Sequence, residues 1–205
     1  MGQLVKAVRV VEGTLAHLPR NNVDTDQIMP KQWLKRVERS GYGEYLFYDW
    51  ARKVDGELDP SFILNRPEYR DARILVSGAN FGSGSSREHA PWGIQDWGFN
   101  AVIASSFADI FYNNCTKIAL LPISLHPKEV QWLTELAGAD PGAVVTIDLP
   151  DQLVTAEGFD ASFEIDPFVK HRLLNGLDDI GLTMAHEADI TAFEAGRPDR
   201  LPSLG

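Results

Sequence analysis

Three short apolar runs, RILVS (73–77), AVIAS (101–105) and ALLPISL (119–125), are separated by stretches with helical spacing, and no other feature restricts the fold as tightly. Each run has the length of a buried strand and falls short of a buried helix. A helix is predicted from the glycine-rich loop after the first run through Trp97, and another over FADIFYNNCTKIA (107–119). Strand, helix, strand in succession calls for parallel pairing, because parallel neighbours need a crossover that a tight turn cannot supply. An α/β protein with a parallel βαβ core is therefore expected. The 205 residues suit one domain, whose usual size is roughly 100 to 200 residues.

The flanking segments read more loosely. VKAVRVVE, Val5 to Glu12, is rich in β-branched residues and predicts a strand, followed by a polar loop, NNVDTDQIMP, from Asn21 to Pro30. Helical spacing in KQWLKRVERSG is stopped by Gly41 and Gly43. From Val144, the stretches VVTIDL, QLVTAEG and ASFEI alternate with period two and predict a small antiparallel patch. Helical periodicity returns in FVKHRLLNGL and ADITAFEAG, between Pro167 and about Ala195. No repeat or low-complexity linker divides the chain, so residues 1–196 are expected to be a single domain and 197–205, RPDRLPSLG, a loose tail.

Charge and cysteine content exclude whole classes of function. The net charge of −10 would repel a phosphate backbone, and no basic run offsets it, so nucleic-acid binding is not expected. Cys115 is the only cysteine, which rules out an internal disulfide and an iron–sulfur cluster held by this chain alone. His17, His126, His171 and His186 have no metal-site spacing, and no metal is assigned to the chain. No apolar run approaches the ~20 residues that span a bilayer, so a soluble, cytoplasmic protein without membrane contact is expected.

The chemistry concentrates in NFGSGSSREHAPWG (80–93). Gly78, Gly82 and Gly84 free the backbone for close approach of a ligand, and a helix starting just beyond them offers unpaired N–H groups to an anion. Familiar glycine loops do not fit: Ser83 stands where a Walker loop needs glycine, Arg87 where a dinucleotide fingerprint needs its third, and neither Ser85 nor Ser86 is flanked as in a nucleophile elbow. Ser85 and Glu88 have capping-box spacing, but Pro91 would then fall beyond the first turn, so a start nearer Arg87 or Glu88 leaves both hydroxyls free. Serine is a very weak base at its ordinary pKa and needs nearby positive charge to remove a proton. Arg87 supplies that charge and a fork for a carboxylate, which suits a small negatively charged substrate.

NFGSGSSREHA, with NNVDTDQIMP upstream and GFNAVIASSFADIFYNNCTKIALLPI downstream, closely resembles the small subunits of 3-isopropylmalate dehydratases in the aconitase superfamily, over about Asn22 to Leu182. The resemblance implies a swivelling domain of three-layer β/β/α type. It also implies a separate large subunit carrying a [4Fe–4S] cluster, in a heterodimer or larger assembly, with the active site between the chains. The reaction implied is a hydro-lyase isomerisation of 2-isopropylmalate and 3-isopropylmalate by loss and re-addition of water, in leucine biosynthesis. By position, Ser85 matches the catalytic base, Ser86 and Arg87 match binders of substrate carboxylate, and Asp26 matches an aspartate that orients a histidine of the partner. Asp24, Asn80 and His89 are expected in support, with capping as the alternative for the two aspartates. PKQWLKRVER (30–39) occupies the place of a mobile substrate-discriminating loop; Lys35, Arg36 and Arg39 are candidates for the second carboxylate, and a solvated helix face is the alternative for each. A small subunit of another hydro-lyase, such as homoaconitase or a citraconate or maleate hydratase, and a non-catalytic anion-binding module are the alternative functions.

The remaining conspicuous residues read as packing. Cys115 is expected to be a small buried residue, and Trp92 and Trp97 are expected beneath the loop, while Trp33 is a candidate contact for substrate or partner.

Overall fold

The computed structural model describes residues 6–34, 40–184 and 186–196. Among them, strands β1 (Val10–Leu18), β2 (Ile74–Ser77), β3 (Ala101–Ala104), β4 (Leu121–Ser124), β5 (Val144–Asp148), β6 (Leu153–Ala156) and β7 (Phe159–Ser162) form one mixed sheet in the order β4-β3-β2-β1-β5-β6-β7. The helices are α1 (Thr25–Ile28), α2 (Tyr48–Ala51), α3 (His89–Trp97), α4 (Asp109–Lys117), α5 (Pro127–Ala139), α6 (Pro167–Asn175), α7 (Asp179–Met184) and α8 (Glu187–Ala195). The α/β class, the parallel core and the antiparallel patch all stand as expected, and the patch continues the same sheet.

β1 joins the two halves. From Val10 to Thr14 it pairs antiparallel with β5, and from Leu15 to Leu18 it pairs parallel with β2. The strand expected at Val5 to Glu12 is thus displaced towards the C-terminus, and residues 1–5 lie outside the described ones. Gly13 is the reason for the misreading. Glycine reads as a stop in a strand pattern, yet here β1 passes so close to the next strand's approach that a Cβ on Gly13 would lie 2.6 Å from Arg73 Cγ.

Alternation sorts the parallel strands onto two cores. Leu15, Ile74, Val76, Ala101, Ile103, Leu121 and Ile123 share one face with Val145, Ile147, Val154 and Ala161 of the antiparallel half and with Val130, Leu133 and Ala137 of α5. Ala16, Leu18, Leu75, Val102 and Ala104 face the other way, onto Ala90 and Ile94 of α3 and Phe111 and Cys115 of α4. The antiparallel half therefore curls over one face while the crossover helices cover the other, the β/β/α layering expected. Each fully buried Leu or Ile stabilises by about 1.5–3 kcal/mol, and a one-residue slip would turn every inward side chain outward, so the register is strongly held.

α5 was not expected from the sequence. Pro127 at its first position, a His126–Glu129 capping box and the spacing of Val130, Leu133 and Ala137 all favour it. Between 42 and 72 the chain runs in short turns, packing on α3 at Gly43–Tyr45 and on β1 at Ile63–Asn65 and Pro67–Tyr69, and it buries Tyr42, Phe47, Phe62 and Tyr69. The helical spacing after Pro30 yields a single 3₁₀ turn, Lys31–Trp33, before the undescribed residues 35–39. The region from Pro167 is helical as expected, in three helices, of which α8 buries no residue; residues 197–205, the expected tail, lie outside the described ones.

Candidate functional site

The parallel half ends β1, β2 and β3 at one edge, where open α/β sheets bind ligands. Three connections meet there: Pro19–Pro30 after β1, Gly78–Glu88 after β2 and Ser105–Ala108 after β3. The backbone bonds of the middle loop go almost wholly to its neighbours. Gly78 N–H donates to the Arg20 carbonyl (3.0 Å), Gly82 N–H to the Val23 carbonyl (2.7 Å) and Phe81 N–H to the Ser106 carbonyl (3.0 Å). In return, Asn22 N–H donates to the Ala79 carbonyl (2.8 Å), Thr25 N–H to the Ser83 carbonyl (2.8 Å) and Ala108 N–H to the Phe81 carbonyl (3.0 Å). A loop whose donors and acceptors are satisfied this way leaves few backbone groups unpaired and is tied to both neighbouring connections.

Asn80 belongs to this stitching. It takes the left-handed conformation (φ +55°), its N–H donates to the Ser106 hydroxyl (2.8 Å), and its side-chain amide donates to Asn22 Oδ1 (2.9 Å). Asp24 caps α1 instead of facing a ligand: its carboxylate accepts from Gln27 N–H (2.8 Å) while the Gln27 side chain accepts from Asp24 N–H (3.0 Å). α1 itself interrupts what reads as a polar loop, and four residues are too few to leave a periodicity.

Beyond Gly84 the loop presents its hydroxyls. Ser85 and Ser86 are exposed, and neither hydroxyl has a hydrogen-bond partner among the described residues. Ser85 caps nothing, since α3 begins at His89 after Glu88 and so keeps Pro91 within the first turn, where no intrahelical bond is lost. Arg87 turns inward. Its Nη1 donates to Asp26 Oδ1 (2.6 Å) and to the Met29 carbonyl (3.2 Å), with the Arg87 side chain 10% exposed and that of Asp26 43%. No other hydrogen bond is made by the guanidinium among the described residues, so its Nε and Nη2 have no partner there. Asp26 and Arg87, 61 residues apart in sequence, are thus brought into contact.

His89, expected in support of the loop, stands at the first position of α3. Its ring packs edge-on against Tyr42 (5.3 Å between centroids) and Trp92 (4.8 Å), and burial, aided by Arg87 and opposed by Glu88, lowers its pKa below 6.5. Trp92, expected beneath the loop, packs against Tyr42 and His89 near the start of α3. Trp97 lies away from the loop: it ends α3, about 12 Å further along at 1.5 Å per residue, and stacks on Phe99. Trp33 stacks on Tyr45 at 4.0 Å. Lys35, Arg36 and Arg39 lie outside the described residues. Thr25, Asn22 and Ser106 were missed; Thr25 had one signal, its place between two aspartates of VDTDQI, and Ser106 had none.

These side chains form a surface more than a cavity. A groove of about 1020 Å³ runs along α3 and α4, walled by Glu88, Trp92, Asn114, Lys117 and Arg172 among others, and Ser85, Ser86, Arg87 and Asp26 are not part of its walls. Among the described residues no group of three or more His, Cys, Asp or Glu could hold a metal ion.

Comparison with known proteins gives consistent matches along the chain. A family model for the aconitase C-terminal domain matches residues 5–128, one described as LeuD_N matches 133–167, and one for the C-terminal domain of the 3-isopropylmalate dehydratase small subunit matches 179–204. The chain is 52% identical to a 3-isopropylmalate dehydratase small subunit of Rubrobacter xylanophilus over 98% of this chain and 100% of that one, and 56% identical to one of Halalkalibacterium halodurans over 90% and 95%. A crystal structure of 3-isopropylmalate dehydratase (leuD) from Methanocaldococcus jannaschii superposes with a TM-score of 0.64 at 24% identity, covering 89% of this chain and 98% of that one, and so shares the fold.

Proposed function

This chain belongs to the family of 3-isopropylmalate dehydratase small subunits, and from that premise we propose the roles of its residues in the reaction. The chain is the small subunit of a hydro-lyase of leucine biosynthesis, which isomerises 2-isopropylmalate and 3-isopropylmalate by dehydration and rehydration and acts with a large subunit.

The observation that carries the assignment is an exposed Ser85 hydroxyl, without a partner among the described residues, on a backbone held from both sides, with Arg87 two residues on. As an alkoxide, Ser85 Oγ takes the proton on the carbon alpha to a substrate carboxylate. The electron pair of the broken C–H bond becomes the new π bond as the hydroxyl leaves the adjacent carbon with its own pair. Re-adding water with the hydroxyl and proton exchanged between the two carbons gives the isomer. The alkoxide needs positive charge close by, which the guanidinium and the first turn of α3 supply. Arg87, fixed through Nη1, offers its remaining donors to one substrate carboxylate, with Ser86 beside it. Asp26, 43% exposed, offers its second oxygen to a histidine of the large subunit. At least one of Lys35, Arg36 and Arg39 is proposed to meet the second carboxylate.

An iron–sulfur cluster, where the family implies one, is assigned to the large subunit. The residues of this chain do not fit it: Cys115 is fully buried in α4, and desolvation pushes its thiol well up, away from the thiolate a cluster requires. A cytoplasmic location is proposed; among the described residues no helix is long and apolar enough to cross a membrane.

The test is anaerobic reconstitution with the large subunit, following alkene absorbance from 3-isopropylmalate. S85A is expected to assemble normally and to lose about 10²- to 10⁴-fold in kcat, the usual worth of a general base. An undiminished rate in S85A removes the base assignment, and no turnover by the wild-type pair with an intact cluster removes the function.

A further inference from the structure

We infer that Thr25 is a positioning residue for Ser85, acting through the loop backbone without touching substrate; the inference rests on the reading of Ser85 as the base. Thr25 is 1% exposed, one of very few polar side chains in the interior. Its N–H donates to the Ser83 carbonyl at 2.8 Å and its hydroxyl to the Ser85 carbonyl at 2.9 Å. One residue thus grips two carbonyls on either side of Gly84, which bends the chain through a positive φ of +92°.

The Ser85 carbonyl accepts a second bond from Arg87 N–H at 2.8 Å. Pinned from two directions, this peptide plane cannot turn without breaking both bonds, and the geometry at Cα then directs the Ser85 side chain outward, where it is exposed. That restraint matters because, among the described residues, the hydroxyl has no side-chain partner of its own to aim it. A base must meet one carbon-bound proton at about 3 Å, and a displacement of about 1 Å can cost about 10²-fold in rate. The next residue of α1, Asp26, holds Arg87. Consecutive residues of one helical turn therefore set where the base and the carboxylate-binding cation stand relative to each other. A buried side chain of this volume needs no hydroxyl for packing, since valine fills the same space; the hydroxyl is accounted for by the bond it makes.

The experiment uses the reconstituted two-subunit enzyme with T25V, T25S, S85A and the double variant T25V/S85A, with folding checked by circular dichroism and assembly by gel filtration. T25V is expected to lower kcat about 10- to 100-fold with KM changed less than about threefold, and T25S to restore kcat to within about threefold of wild type. If Thr25 acts through Ser85, the double variant is no slower than S85A alone, because the serine it would aim is gone. A double variant slower than S85A by the full T25V factor overturns the proposal, as does a wild-type kcat in T25V. Should T25V not fold, T25S decides: it keeps the donor and loses only the buried methyl, so near-wild-type kcat supports the role and a tenfold loss in folded T25S overturns it. A slow S85A with a normal T25V overturns the positioning role alone, whereas a normal S85A overturns the reading beneath it.

Discussion

Gly82 and Gly158 adopt nearly the same backbone angle, φ +77° and +73°, in opposite halves of the sheet, and their surroundings have nothing in common. Gly82 lies in the loop after β2; a Cβ there would press into the ring of Phe111, and its N–H is bonded to Val23 of another connection. Gly158 closes the turn between β6 and β7, and a Cβ there would meet nothing within 4 Å. The two halves use their connections differently. The consecutive antiparallel strands β5, β6 and β7 are joined by tight turns, whereas parallel strands need long crossovers that all leave from one edge and have room to interlock. Interlocking loops can hold an exposed hydroxyl still; a two-residue turn projecting alone cannot. The candidate site lies in the parallel half, among these interlocked connections.

Substitution can break this contrast or sharpen it. The largest effect is expected for Gly82→Ala, where the strain of a left-handed L residue and the collision with Phe111 together cost about 2–5 kcal/mol, read as a lower midpoint in urea unfolding and accompanied by loss of activity in the reconstituted enzyme. Gly158→Ala has the same backbone strain and no collision, so about 1–2 kcal/mol is expected, with kcat and KM unchanged. Equal destabilisation by the two would show that the loop yields around Phe111 and is not interlocked. The smallest effect concerns pH. His89 and His17 both have pKa values lowered from 6.5 chiefly by burial, with Arg66 adding to the effect at His17. The folded state then prefers the neutral rings, so their contribution is complete above 6.5 and is lost as pH falls through the lower folded values. Denaturant midpoints should decline from pH 7.5 to 5, and His89→Gln should make that decline shallower; an unchanged slope would leave His89 without a part in it.

The fold was more legible than the site. β2, β3 and β4 were readable because a strand buried on both faces must be apolar throughout, and RILVS, AVIAS and ALLPISL are short, bounded and apolar. β5 to β7 were readable for the opposite reason, one face being wet. β1 was misplaced because Gly13 serves a close approach to Arg73 that only the neighbouring chain reveals. α5 was missed although its Pro127 start and capping box were present, and α1 is too short for any pattern. Trp97 illustrates the limit of proximity in sequence: on a helix, eight residues carry a side chain away from the loop at the other end.

The chain's own order of residues determined a parallel βαβ core, a glycine-rich turn with two hydroxyls and an arginine at its mouth, and a helix start placed by Pro91. These follow from burial periodicity and from what proline and glycine backbones allow, both local properties. Which atoms meet was decided only in three dimensions. Thr25 on Ser85, Asp26 on Arg87 and Asn22 on Asn80 each join positions about sixty residues apart. Their distances of 2.6 to 2.9 Å exist because β1 and β2 lie in one parallel register and release their connections at the same edge. A hydrogen bond depends on fractions of an ångström between groups that share no local pattern, so it becomes defined when the sheet closes and not before.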